Sequence, residues 1–156
     1  MDLDRFDRQL LSLVQEDSGQ TAERLAEQVE LSPSAIQRRL RRMRDEGVIV
    51  RDCAIVDPAV VGRPNFFVVG LQVEREREDL LAQLRKWLAA EVRVQQAFYV
   101  TGDADFILVV TCPDTEDYET LMSRMMRENP NVRRYTTNVA LSVVKRGLTL
   151  PIPTGP

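Results

Sequence analysis

The chain has 156 residues, 44% of them hydrophobic and 29% charged, with a formal net charge of −3. That balance suits one folded domain or two small modules, and it excludes a disordered chain. Its longest apolar runs, Phe66–Leu71 and Phe106–Val110, fall far short of the roughly 20 residues that a membrane span needs. No histidine is present, which removes the commonest general acid/base, every nucleophile–histidine pair and most zinc or iron sites. No catalytic residue, no metal and no cofactor is therefore expected.

The acidic start, Met1-Asp2-Leu3-Asp4, carries no apolar signal segment, so a cytoplasmic protein is expected. From Asp4 to Gln15 the apolar residues Phe6, Leu10, Leu11, Leu13 and Val14 recur at helical spacing, and Asp17-Ser18-Gly19 supplies a stop. Thr21 is an N-cap for a short second helix through Val29. Ser32-Pro33 opens a third, because Ser caps and Pro suits the first turn; this helix runs to about Glu46, with Gly47 as its C-terminal cap. Three helices in so short a stretch, the last two joined by a tight turn, match a helix-turn-helix. That turn reads Val29-Glu30-Leu31, where a left-handed position would ordinarily take Gly.

Charge is partitioned along this half of the chain. Residues 1–30 hold three Arg against eight acids, net −5, whereas residues 31–51 hold six Arg against two, net +4. On the third helix Ile36, Leu40 and Met43 fall in one narrow sector, with Arg39 at its edge. Ser34, Gln37, Arg38 and Arg41 project away, and Arg42 lies on the flank. Small polar residues early in a helix and arginines farther along are what a recognition helix needs. The candidate DNA-binding residues are thus Ser32, Ser34, Gln37, Arg38, Arg41 and Arg42. Ser34, Gln37 and Arg38 are placed for base edges; Arg38, Arg41 and Arg42 are placed for phosphates. The competing reading is a solvated helix face in an all-α bundle.

Val48-Ile49-Val50 and Ala54-Ile55-Val56 suggest a connecting strand broken at Asp57-Pro58, and Gly62-Arg63-Pro64-Asn65 marks a domain boundary. Cys53 in this stretch and Cys112 farther on lie 59 positions apart among apolar neighbours, and read as buried thiols in a reducing compartment. Beyond the boundary come a strand over 66–73, an amphipathic helix over 76–90 and strands over 92–101 and 105–112. A helix opening at Pro113-Asp114-Thr115 and running through Arg127 follows, then a strand over 132–144. The order β-α-β-β-α-β is that of a ferredoxin-like unit. Met122, Met125 and Met126 share one face of the second helix and read as core filling. The fold expected is α+β: a helix-turn-helix (winged-helix-like) module over 1–50, a connecting strand and linker over 51–65, the ferredoxin-like βαββαβ module over 66–147, and a C-terminal tail over 148–156 that is an extended arm or disordered.

Several segments in order resemble the Lrp/AsnC (feast/famine) family of transcription regulators along nearly the whole chain. They are Leu3-Asp4-Arg5-Phe6-Asp7-Arg8, Leu31-Ser32-Pro33-Ser34, Arg38-Arg39-Leu40, Glu46-Gly47-Val48-Ile49, Val100-Thr101-Gly102-Asp103-Ala104-Asp105 and Pro130-Asn131-Val132. The resemblance implies a DNA-binding module joined to an effector-sensing RAM module. It further implies homo-dimers assembling through their sheets into tetramers, octamers or larger forms, double-stranded promoter DNA as a partner, and a small effector, usually an amino acid, bound between dimers. The family's effector site would fall on Thr101, Gly102, Asp103 and Asp105, and on Thr137, Asn138, Val139 and Ala140 of the last strand. Carboxylates and carbonyls there can receive an ammonium group, and N–H groups at a glycine turn can receive a carboxylate. The plainer alternative is that Gly102-Asp103 only makes a hairpin turn and Asp105 bonds nearby backbone. An effector-independent architectural DNA-binding protein is a second reading. Enzymatic relatives of this architecture, the sirohaem decarboxylases, depend on histidine, and Asp103 with Asp105 has no nucleophile or cofactor motif nearby.

Overall fold

The first helix begins with an acidic pair. The Asp4 side chain accepts from the backbone N–H of Asp7 (2.9 Å), and the Asp7 side chain accepts from that of Asp4 (3.3 Å), a reciprocal capping box that satisfies two N–H groups the helix itself leaves open. Helix α1 then spans Arg5–Glu16, α2 spans Ala22–Ala26 behind the Thr21 cap, and α3 spans Pro33–Asp45 behind the Ser32 cap. The computed structural model describes residues 2–153. Helix α2 is shorter than its apolar spacing predicts, because the chain tightens after Ala26 into a turn closed by Leu31 N donating to Val29 O (2.6 Å). No residue of that turn has positive φ, so Glu30 carries none of the strain a left-handed turn would impose. Gly47, at φ 73°, ends α3, and the N–H groups of Val48 and Ile49 both donate to Met43 O. Leu10, Leu11, Leu25, Val29, Ile36, Leu40 and Met43 close the core of this unit.

The C-terminal tail completes the same unit, which comprises residues 1–55 and 145–156. The Gln15 side chain exchanges two hydrogen bonds with the backbone of Leu150, accepting from its N–H (2.7 Å) and donating to its carbonyl (3.2 Å). Ile152 packs against the helical core. The expected extended arm is therefore docked through Leu150 and Ile152, and residues 154–156 lie outside the described residues. The connecting strand expected over 48–56 is not formed. That segment pairs with none of the four strands, and Asp57 instead accepts from Ala59 N (2.8 Å) to start a 3₁₀ turn over Pro58–Val60. Val50 and Ile55 stand exposed, and so does Cys53, contrary to the burial its apolar neighbours suggested.

The second unit, residues 56–144, is a four-stranded antiparallel sheet covered by two helices. Strand β1 spans Asn65–Val73, α4 Glu78–Ala90, β2 Val94–Tyr99, β3 Phe106–Cys112, α5 Thr115–Glu128 and β4 Val132–Val139, with strand order β2-β3-β1-β4. Alternation along β1 and β3 sends Phe67, Val69, Leu71, Phe106, Leu108, Val110 and Cys112 to one face. They meet Leu81, Leu84 and Leu88 of α4 and Tyr118, Leu121, Met122 and Met125 of α5. Phe67 and Tyr118 stack with ring centroids 4.0 Å apart. The last strand stops at Val139 and not near Val144; Ala140 N donates once more to Phe66 O (2.8 Å) before the chain leaves the sheet.

Burial pushes the Cys112 thiol up to about 11, whereas Cys53 faces solvent. A thiolate-selective reagent at mildly alkaline pH should therefore label one thiol per native chain and two in guanidinium. Rapid native labelling of both would contradict the placement of Cys112.

Candidate DNA-binding face and ligand loop

Helix α3 divides its residues as its periodicity demands. Ile36, Leu40 and Met43 are buried, while Ser32, Ser34, Gln37, Arg38, Arg41 and Arg42 are all exposed. The Ser32 hydroxyl caps the helix by accepting from Ala35 N (3.3 Å) and lies 3.1 Å from the Ser34 hydroxyl. The arginines are not equivalent. Arg44 donates to Asp52 (3.0 Å), Arg39 to both Asp4 (2.7 Å) and Asp7 (2.8 Å), and Arg42 to Asp7 (2.7 Å). Neither Arg38 nor Arg41 has a hydrogen bond or ion pair among the described residues. Arg42, placed by sequence among the phosphate contacts, is instead occupied by a carboxylate of α1. Asp7 is the residue that sequence reasoning missed. Its spacing to Leu10 and Leu11 puts it on the buried face of α1, and it is only 1% exposed. An acid in step with an apolar stripe was the available signal. The same pair holds the Asp4 carboxyl below its usual range, through the Asp7 backbone N–H first and the Arg39 guanidinium after it.

In the second unit the loop between β2 and β3 holds Thr101, Gly102, Asp103 and Asp105. Gly102 has φ 124°, a conformation that L side chains rarely adopt. The Asp105 carboxylate accepts from Val73 N (2.7 Å), its N–H donates to Leu71 O (2.8 Å), and its carbonyl accepts from Val100 N (2.9 Å). It thus ties the loop to β1. The Asp103 carbonyl accepts from the Gln72 side chain, while its carboxylate has no partner among the described residues. A Cβ at Gly70 would stand 2.9 Å from Thr136 Oγ1 and 3.3 Å from Ala104 Cβ. The bare glycine therefore lets the loop and β4 approach across β1.

The expected effector residues Thr137, Asn138 and Val139 of β4 are not brought to one face, and Ala140 lies just past the end of the strand. Thr137 pairs opposite Val69 and Val139 opposite Phe67, on the helix side, whereas Asn138 lies opposite Val68 on the other. Thr137 Oγ1 lies 2.5 Å from the Tyr118 hydroxyl, and Asn138 Nδ2 donates to Val68 O (3.5 Å). A pleat of period two cannot turn consecutive side chains to one ligand. The neighbours of the loop that the expectation omitted are Gly70, Gln72 and Thr136.

A helix-turn-helix with an open arginine face, carried on the same chain as a separate α+β unit with a glycine loop, defines a DNA-binding regulator with a ligand-sensing domain. Comparison with known proteins agrees: residues 3–50 match the winged helix-turn-helix DNA-binding family and residues 67–150 the Lrp/AsnC ligand binding domain. An uncharacterized HTH-type transcriptional regulator of Sinorhizobium fredii, y4tD, is 44% identical over 97% of this chain and 90% of its own. The structure of an AsnC family transcriptional regulator from Agrobacterium tumefaciens superposes with a TM-score of 0.86 at 29% identity, covering 96% of this chain and 97% of that one. A feast or famine regulatory protein from M. tuberculosis, solved in complex with L-methionine, superposes with a TM-score of 0.82 at 27% identity, covering 97% and 100%. The chain belongs to the Lrp/AsnC family of transcriptional regulators.

The bonds of Asp105 carry a consequence for stability. Asp105→Ala leaves Val73 N without its acceptor and should cost the second unit about 1–2 kcal/mol, with Asp105→Asn costing less because it keeps an acceptor. Urea unfolding followed by the single tryptophan, Trp87 on α4, measures this. Equal stability of Asp105→Ala and the parent would show that the bond contributes nothing.

Proposed function

We propose that this regulator grips duplex DNA through the exposed face of α3, with Arg38 and Arg41 on phosphates and Ser34, Gln37 and Arg38 toward base edges. The observation that carries this is the division among the α3 arginines. Those nearest α1 and the following loop are tied to acids, and Arg38 and Arg41 stand free beside the small polar residues. Unpaired exposed guanidinium groups bind phosphate and release counterions without first breaking an ion pair. Ser32 serves as the helix cap and stays close to Ser34, so it supports the reading edge of the helix as well as its start.

The chain works as a symmetric homo-oligomer, because two recognition helices on two half-sites multiply a weak single-module affinity. Support for assembly through the sheet comes from its uncovered face, where Val68 and Phe98 are exposed beside Ile107 and Val109. The effector is a free amino acid. Its ammonium group suits the unpartnered Asp103 carboxylate, and its carboxylate suits the N–H groups around Gly102. Asp105 shapes the loop by accepting from Val73 N. The relative solved with L-methionine supports this ligand class. The protein acts by binding in the cytoplasm and catalyses nothing.

The Arg38→Ala, Arg41→Ala double variant tests the DNA face. It should lose affinity for duplex DNA by roughly two orders of magnitude or more, since four charge contacts disappear per dimer. Its size-exclusion profile should match the parent. Unchanged affinity in fluorescence anisotropy would overturn the assignment of α3.

A further inference from the structure

The ionic cluster between α1 and α3 is larger than a surface helix pair requires. Asp7, with 1% exposure, gives one carboxylate oxygen to Arg39 Nη1 (2.8 Å) and the other to Arg42 Nη2 (2.7 Å). Arg39 Nη1 reaches the Asp4 carboxylate as well (2.7 Å), and its guanidinium stands 5.7 Å from the Phe6 ring centroid. Asp4 and Asp7 are three residues apart on the first turn of α1, and Arg39 and Arg42 are three apart on α3, so each pair lies on one helix face. Two contacts at each end fix both the slide of α3 along α1 and its rotation about its own axis, which one contact would not. Two acids and two arginines also cancel, so the cluster adds no net charge to the DNA face.

We propose that Asp7 is the positioning residue of the recognition helix: its buried carboxylate binds Arg39 and Arg42 to α1, which sets the presentation of α3 and withholds both arginines from phosphate. This rests on the α3 reading given above and deepens it. The neighbours in sequence, Arg38 and Arg41, are rotated about 100° from Arg39 and Arg42 respectively. Holding Arg39 and Arg42 inward therefore turns Arg41 outward, and leaves Arg38, about 40° from Arg42 across the next turn, at the margin of that face. Arg42 shows the division most clearly, because its side chain is 44% exposed and yet is bonded to a carboxylate that is not.

Salt dependence distinguishes an arginine that contacts DNA from one that positions the helix. Each phosphate neutralised adds about 0.9 to the slope of log affinity against log salt. The full chain is titrated by anisotropy with a duplex from the gene's own upstream region and with a shuffled duplex of equal length, over a series of salt concentrations. Arg38→Ala and Arg41→Ala should each flatten the slope by about 0.9 per module. Arg42→Gln should leave the slope as it is but narrow the preference for the upstream duplex several-fold, and Arg42→Lys should restore that preference. Asp7→Asn should steepen the slope, since Arg42 loses its carboxylate partner while Arg39 keeps Asp4, and the preference should collapse. If Asp7→Asn does not fold, as circular dichroism would show, the Arg42 variants decide alone. A slope flattened by Arg42→Gln as much as by Arg41→Ala makes Arg42 a phosphate contact and overturns the proposal. A folded Asp7→Asn with unchanged slope and preference overturns it too. Unchanged slopes in both Arg38→Ala and Arg41→Ala would refute the α3 reading itself, a result distinct from either outcome at Arg42.

Discussion

A carboxylate withdrawn from water must be paired, and Asp7 meets that requirement across two helices. An uncompensated buried charge costs several kcal/mol, so α1 and α3 cannot separate or rotate without losing the partners Asp7 depends on. The same residue caps α1 through Asp4, which links the start of the first helix to the setting of the third. Apolar packing by Leu10, Ile36, Leu40 and Met43 supplies most of the cohesion of this unit, but apolar contact is not directional. The ion pairs give α3 its direction, and with it the placement of Ser34, Gln37, Arg38 and Arg41. The docked tail adds a tether at the far end of α1, where Gln15 substitutes for a strand partner to Leu150.

In the second unit the governing constraint is the pleat. One face of the sheet is filled by Phe67, Val69, Leu71 and their β3 partners against α4 and α5, which leaves the opposite face uncovered. Gly70 sits on that opposite face, where its lack of a side chain lets Ala104 and Thr136 crowd together. Asp105 then fixes the loop by three bonds of its own, so that Gly102 and Asp103 project from a rigid base. Preorganisation of this kind lowers the ordering cost of capturing a small ligand.

Much of this was readable before the structure. Periodicity of 3.6 residues located α1, and Ser32 and Gly47 bounded α3, because capping residues act locally and need no tertiary context. Short apolar runs beyond the boundary at residues 62–65 located the strands, and their order yielded the βαββαβ topology. What sequence could not reveal depends on partners distant along the chain. Residues 48–56 have strand composition, but a strand exists only where another lies alongside it, and none does. Cys53 is exposed for the same reason, its apolar neighbours having nothing to pack against. The wheel put Arg42 on the flank of the core sector but could not show its partner, because a wheel shows one helix and omits the acid on the next. Thr137, Asn138, Val139 and Ala140 formed one candidate set through the family resemblance, yet alternation sends Thr137 to Tyr118 and Asn138 to the other side.

Fluorescence anisotropy measures whether one chain couples specific DNA binding to an amino-acid signal. The gene's own upstream DNA is titrated with the full chain at two salt concentrations, with and without a pool of amino acids. The account predicts binding that prefers this DNA over random sequence, weakens with salt and shifts saturably when the pool is added. Specific binding indifferent to the pool would remove the amino-acid signal and leave an architectural protein, and no preference for any upstream sequence would contradict the regulator itself.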